Sequence, residues 1–105
     1  MATRSVIKIE GVEYAKVYKH WDGNPTSTLP WLIKFNKNFT SARGADPQYK
    51  FAQLLRASII DAEEFNLGAD PYTGWGVIPY YENYGEEYEY ILKSNGDVDY
   101  IHKPL

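Results

Sequence analysis

The chain contains no cysteine. Disulfides, thiolate nucleophiles and cysteine-bound zinc or iron–sulfur centres are therefore excluded. Only two histidines are present, His20 and His102, and they lie far apart in the sequence. The sequence also lacks a P-loop, a dinucleotide fingerprint, a metalloprotease helix motif and a nucleophile elbow. We therefore predict a protein without a cofactor and without a bound metal.

Long apolar runs are absent as well. The amino terminus leads directly into a short strand-like run, with no apolar stretch of signal-peptide length. No segment approaches the apolar length needed to cross a bilayer. For a chain of 105 residues we expect one domain over residues 1–105. We also expect a cytoplasmic protein with no membrane partner, located in the host cytoplasm if the gene is carried by a phage.

The charge is unevenly distributed along the chain. Residues 1–56 contain nine Lys/Arg and four Asp/Glu, whereas residues 57–105 contain two and ten. Such asymmetry indicates either a polar binding surface or two halves that complement each other within one fold or across a dimer. The acidic pI of about 5.3 disfavours binding to duplex DNA.

Hydrophobic periodicity predicts seven elements. Alternation of apolar and polar residues predicts strands over residues 4–10, 12–21, 75–80, 87–93 and 98–103. Helical spacing predicts a first helix capped by Ser27 or Thr28 and ending at residues 43–45. A second helix starts at Asp46 and Pro47 and ends at residues 66–68. The order ββααβββ predicts an α+β fold, with an antiparallel sheet of about five strands and two helices packed on one face.

A row of aromatic and basic side chains follows the second predicted strand. If Ile7 and Val17 face the helices, the alternate residues point to the other sheet face. Tyrosine rings offer stacking surfaces for a base, and basic groups offer charge to a phosphate. We therefore predict non-catalytic binding of a nucleotide-like ligand by the residues Lys8, Tyr14, Lys16, Tyr18 and His20, with Trp21 and Trp75 as walls. Depending on register, the row extends to Arg4, Tyr88, Tyr90, Tyr100 or His102.

Two structural alternatives apply to the same row. Tyrosine and lysine also populate ordinary solvent-facing strands, because tyrosine favours a pleated surface. An open, aromatic-rich sheet face is in addition a natural dimer interface, so a homo-oligomer is an alternative use of this surface.

Residues 79–90 combine tyrosines with carboxylates. Their spacing does not match a calcium-binding loop. An alternative function is therefore a protein–protein inhibitor or adaptor that binds a host protein through the acidic-aromatic residues Tyr84, Glu86, Glu87 and Tyr88.

A third function class, a small hydrolase or phosphodiesterase, depends on His20 and Asp22. Residues two apart on a strand share a side, so the carboxylate would orient the imidazole as a general base. No serine, threonine or cysteine nucleophile is clearly paired with them, so we favour a protein without catalysis.

The motif Lys19-His20-Trp21-Asp22-Gly23-Asn24-Pro25 resembles a family of small bacterial and phage proteins. The stretches 49–56, 72–77 and 85–90 fit the same family pattern, so the resemblance covers most of the chain. The sequence departs from the pattern at Asn24, where the family commonly has an aromatic residue. The family brings no activity or catalytic residue with it. The resemblance implies a phage context, in which small proteins often bind and block, including as inhibitors of host defence.

Overall fold

The structure of the protein is a computed structural model that describes residues 3–64 and 74–104, and only the backbone of residues 59–64. The elements follow in the order β1 (Ser5–Ile9), β2 (Ala15–Lys19), α1 (Pro25–Arg43), α2 (Pro47–Glu64), β3 (Trp75–Pro79), β4 (Tyr88–Leu92) and β5 (Val98–His102). The α+β class, the two helices and the five-stranded sheet are thereby confirmed. The predicted end of the second helix at residues 66–68 lies outside the described residues.

Both helices begin at an Asx–Pro pair. α1 starts at Pro25 because Asn24 is its N-cap, with Oδ1 accepting a hydrogen bond from the Ser27 amide at 3.0 Å. The prediction of a cap at Ser27 or Thr28 was therefore wrong by about one turn, since asparagine caps as well as serine and Pro25 presets the helical φ. α2 starts at Pro47, as the sequence predicted.

The sheet is mixed, with the strand order β3-β2-β1-β4-β5. β1 and β4 are parallel, whereas the other three neighbouring pairs are antiparallel. The prediction of an antiparallel sheet was therefore wrong at its centre. β3 and β4 run in the same direction on opposite sides of the β1–β2 pair, so residues 80–87 must carry the chain back across the sheet. We call these residues the connector.

One face of the sheet packs on the helices. The core on this helix face is made by Ile7, Ile9, Val17, Tyr90 and Leu92 from the sheet and by Leu32, Phe51 and Leu54 from the helices. Burying a side chain of this size stabilises the fold by about 1.5–3 kcal/mol. Because both helices contribute to this one core, the opposite face remains available to the connector.

The connector covers part of the opposite face, which we call the connector face. Val6 and Ile78 are buried there although the two described helices pack on the other face. Tyr80, at the start of the connector, lies with its ring 4.6 Å from the Lys8 amine. The sequence predicted a face that was open or covered by a partner, but part of its cover belongs to the chain itself.

Among the described helices, none is both long and apolar enough to cross a membrane.

Candidate ligand-binding site

A charge network joins the connector to the sheet. The amine of Lys16 is 3.9 Å from Oε1 of Glu86, and only 4% and 1% of the two side chains are exposed. Lys103 bridges Glu86 at 3.6 Å and Glu89 at 3.1 Å, and Lys8 meets Glu89 at 3.0 Å. Two of the cations expected to bind phosphate, Lys8 and Lys16, are therefore neutralised within the chain.

Burial and ion pairing shift the pKa values of two members of the network, Lys16 and Glu89. Burial lowers the pKa of Lys16, and the carboxylate of Glu86 opposes only part of this effect. Burial alone would raise the pKa of Glu89, but hydrogen bonds from Lys8 and Lys103 hold it below its ordinary value. Glu89 is therefore favoured in its charged form by the fold.

We expect Glu89 to stabilise the fold at neutral pH and to lose this contribution at acid pH. A carboxyl with a depressed folded-state pKa stabilises the fold above its ordinary value of 4.5 and loses that contribution as the pH falls through the folded-state value. Urea unfolding should therefore show a larger penalty for Glu89→Gln at about pH 7 than at about pH 3. Glu82→Gln is the matched control, because Glu82 is exposed and forms no ion pair with the described residues. An equal penalty for Glu89→Gln at both pH values would contradict the assignment.

Four aromatic rings form a continuous group at one end of the sheet. The ring of Tyr18 lies 5.4 Å from Tyr84 and 5.9 Å from His20, and His20 lies 4.8 Å from Trp21. The hydroxyl of Tyr18 is 2.7 Å from Nδ1 of His20. Trp21 and Tyr84 are exposed, whereas Tyr18 and His20 are half-buried. We call these four residues, together with Arg4, the ring cluster.

Arg4 supplies the positive charge of the ring cluster. Its Nη1 donates to the carbonyl of Tyr84 at 3.2 Å. Burial raises the pKa of Tyr18 and the nearby Arg4 guanidinium partly opposes this, which places the charge within electrostatic reach of Tyr18. Arg4 is exposed, and no carboxylate of the described residues lies within ion-pair distance of it. Its remaining N–H groups are thus available to an anion.

Backbone bonds hold the end of β2 in place. The amide of His20 donates to the carbonyl of Gly74 at 2.7 Å, and the amide of Gly23 donates to that of Thr3 at 2.9 Å. The ring of Trp21 lies against Gly74, where any side chain would collide with it. The ring cluster is therefore built on the sheet and its adjoining turn.

The pairing of His20 with Asp22 is not formed in the structure. Within the described residues, the His20 ring shares a hydrogen bond with the hydroxyl of Tyr18, and no bond or ion pair joins it to Asp22. Asp22 sits in the turn with φ +55°, and its carbonyl accepts from Thr28. In the part of the chain that the structure covers, no three acidic or histidine side chains gather as metal ligands.

The other predicted ligand residues lie elsewhere. Tyr14 is exposed at the opposite end of β2 from His20. Trp75 lies on the helix face, with its ring 5.6 Å from Trp31. The register also places Tyr88, Tyr90, Tyr100 and His102 on the helix face, because Tyr90 pairs with Ile7. The structure therefore brings together Tyr18, His20 and Trp21.

The four residues predicted to bind a partner do not form one rim. Glu86 belongs to the connector and is buried, and Tyr88 stacks on His102 at 4.7 Å on the helix face. Tyr84 is exposed in the ring cluster, and Glu87 is half-buried. These four residues are separated because the chain passes from the connector into β4 between them.

Tyr84 belongs to the ring cluster for a reason that its sequence neighbours do not reveal. Its contact with Tyr18 depends on the path of the connector, which is set by the parallel pairing of β1 and β4. Arg4 was already a candidate extension of the row, because it precedes β1, the neighbour of β2.

No family model, curated protein or solved structure matches this chain. The family resemblance therefore stays a prediction, and the function must be argued from the geometry.

Proposed function

We propose that the protein is a small, non-catalytic binding protein that captures a nucleotide-like ligand on the ring cluster. The observation that carries this proposal is the row of four contacting rings beside a guanidinium that has no carboxylate partner among the described residues. Stacking and one charged contact supply the two kinds of interaction that a nucleotide offers.

The base would bind by stacking. Each base stacked on an aromatic side chain contributes about 1–3 kcal/mol by alanine substitution, with little dependence on base identity. Trp21 and Tyr84 stand at the two ends of the ring row and are both exposed. They are the rings most accessible to a base.

The phosphate would bind Arg4. Guanidinium–phosphate hydrogen bonds are charge-assisted and commonly bidentate. Arg4 donates one N–H to the Tyr84 carbonyl, which holds the side chain next to the rings, and forms no ion pair with the described residues. One guanidinium suits a ligand with a single bound phosphate, such as a mononucleotide or one half of a cyclic dinucleotide.

Capture without turnover fits the arrangement of His20. Its Nδ1 faces the hydroxyl of Tyr18 rather than a carboxylate, so the carboxylate that would orient it as a general base is missing from the described contacts. In a phage-borne gene, such capture would remove a nucleotide signal from the host, which is the counter-defence role that the resemblance implies.

Native mass spectrometry with linear and cyclic nucleotides tests the proposal. We expect one nucleotide per chain, released intact on heating. We expect Arg4→Ala and Trp21→Ala each to weaken binding by at least about tenfold, because each loses an interaction of about 1.4 kcal/mol or more. Lys37→Ala is the matched control, because Lys37 is an exposed cation at the cleft between α1 and β5.

Three results would count against the proposal. The first is no nucleotide uptake by the wild-type protein, and the second is uptake unchanged in Arg4→Ala. Recovery of a hydrolysed ligand would instead favour the phosphodiesterase alternative, and His20→Ala should then abolish the turnover.

A second candidate function, binding of a host protein, is favoured by Tyr81. Its side chain is 86% exposed, the highest value among the large hydrophobic side chains described, and its ring packs edge-on against Tyr80. An adaptor would use Tyr81 with the neighbouring carboxylate of Glu82. Tyr81→Ser should remove such a partner and leave nucleotide binding unchanged, which separates the two functions.

A further inference from the structure

β5 forms an edge of the sheet and exposes apolar side chains on both of its faces. Tyr100 and Ile101 are 46% and 49% exposed, although they point to opposite faces. An open cleft beside the strand is lined by Ile33 and Lys37 of α1 together with Val98 and Asp99. The large hydrophobic side chain of Ile33 is also exposed. Apolar surface therefore continues from the strand onto the helix.

The outer backbone groups of β5 are available for pairing. The Lys103 amide donates to Glu87 and the Asp97 carbonyl accepts from Lys93, so the odd-numbered residues direct their backbone groups towards β4. Because the direction alternates along a strand, Val98, Tyr100 and His102 direct theirs outwards. No strand of the described residues lies beside that edge.

We infer that β5 pairs with β5 of a second copy of this chain, antiparallel about a two-fold axis at Ile101. In this register Tyr100 faces His102 of the other copy, and these residues exchange their outward backbone hydrogen bonds. Ile101 faces its own counterpart on the connector face. The two sheets then form one continuous ten-stranded sheet, with both α1 helices on the same side.

The charges of Asp99 and Lys103 favour β5 of a second copy as the partner over a strand of another protein. Asp99 makes no ion pair with the described residues, and a carboxylate on an edge strand ordinarily opposes pairing. In the register centred on Ile101, Asp99 lies opposite Lys103 of the other copy, and this pair occurs twice. The amine of Lys103 already faces Glu86 and Glu89, and the side chain remains 41% exposed, so it can reach a further carboxylate. Each favourable cross-strand pair contributes about 0.2–1 kcal/mol.

The other edge strand, β3, differs in the ways that discourage pairing. It contains Gly76 and ends in Pro79, which has no amide hydrogen. Glycine and proline are devices that weaken or block an edge strand. β5 has neither within its bounds, so the two edges are not equivalent.

Sedimentation equilibrium with Tyr100→Pro tests the interface. The wild-type protein should have twice the chain mass of 12.1 kDa. Tyr100→Pro removes an amide hydrogen that points away from β4, so the ladder inside the chain is retained. We expect this variant to be a folded monomer, with folding checked by circular dichroism. The proposal is overturned if the wild-type protein is a monomer across the micromolar range, in which case the edge is left for a strand of another protein. It is also overturned if Tyr100→Pro leaves the dimer intact.

A disulfide tests the register. Directly opposed residues in a non-hydrogen-bonded antiparallel pair have Cα atoms about 4.5 Å apart, within the range of a disulfide. Because the chain has no cysteine, Ile101→Cys supplies one thiol per copy. We expect Ile101→Cys to oxidise rapidly to a covalent dimer. The control Val77→Cys on β3 should form little covalent dimer. Cross-linking no faster for Ile101→Cys than for Val77→Cys overturns the register and the proposal with it.

Discussion

Glu86→Ala should destabilise the protein by about 3–5 kcal/mol, because it leaves the buried amine of Lys16 without a carboxylate partner. The same change removes the acceptor for the Tyr84 amide, which Glu86 binds at 2.9 Å. The connector would thereby lose one of its attachments to the sheet, the ion pair with Lys16, together with a hydrogen bond that holds its own backbone. Urea unfolding at neutral pH measures the effect as a shift of the midpoint.

Two variants separate the buried charge from other effects of truncation. Glu87→Ala changes a neighbouring carboxylate that is half-buried but forms no ion pair with the described residues, and should stay within about 0.5 kcal/mol of the wild type. Lys16→Met combined with Glu86→Ala removes both charges and should recover much of the lost stability. If Glu86→Ala lowered the free energy of unfolding no more than Glu87→Ala, the Glu86–Lys16 ion pair would not stabilise the fold as we propose.

Gly23→Ala should cost about 1–3 kcal/mol by overpacking and also weaken ligand binding. A methyl group at this position would lie 2.7 Å from the carbonyl oxygen of Thr3 and 2.8 Å from the side chain of Ser5. The carbonyl of Gly23 also accepts the buried hydroxyl of Tyr90 at 2.6 Å. The turn would therefore shift, and Trp21 next to it would shift with it.

Gly76→Ala is the matched control for this substitution. A methyl group there meets no atom within 4 Å, and Gly76 is in an ordinary strand conformation. We expect it to be neutral or slightly stabilising, since glycine weakens a strand interior. Thermal unfolding of both variants, followed by nucleotide titration, checks the prediction. Equal melting temperatures for the two variants would show that the turn at Gly23 is not tightly packed.

Local signals in the sequence were sufficient for the elements themselves. The start of α2 at Pro47 follows from a capping aspartate and a proline. Alternation in β2 placed Lys16 and Tyr18 on one face, as the register with β1 and β3 confirms. These features depend on neighbours within a few residues, where the sequence is most informative.

The long-range pairing of the strands could not be predicted from local sequence patterns in the same way. The parallel pairing of β1 with β4 joins segments about eighty residues apart, and no turn motif encodes it. That pairing sends the connector over Lys16, so a lysine that periodicity assigned to an outward face is buried. Periodicity tells which face a side chain occupies but not what covers that face. The same connector brings Tyr84 to Tyr18, which no local pattern indicated.

Amide and indole chemical shifts of isotopically labelled protein, recorded during nucleotide titration, test most directly whether the ring cluster binds the ligand. We predict saturable changes centred on the five members Arg4, Tyr18, His20, Trp21 and Tyr84, with little change at Lys37 and Asp97 in the cleft beside α1. Saturable changes confined to that cleft or to β5, or none at any nucleotide concentration, would contradict the proposed function.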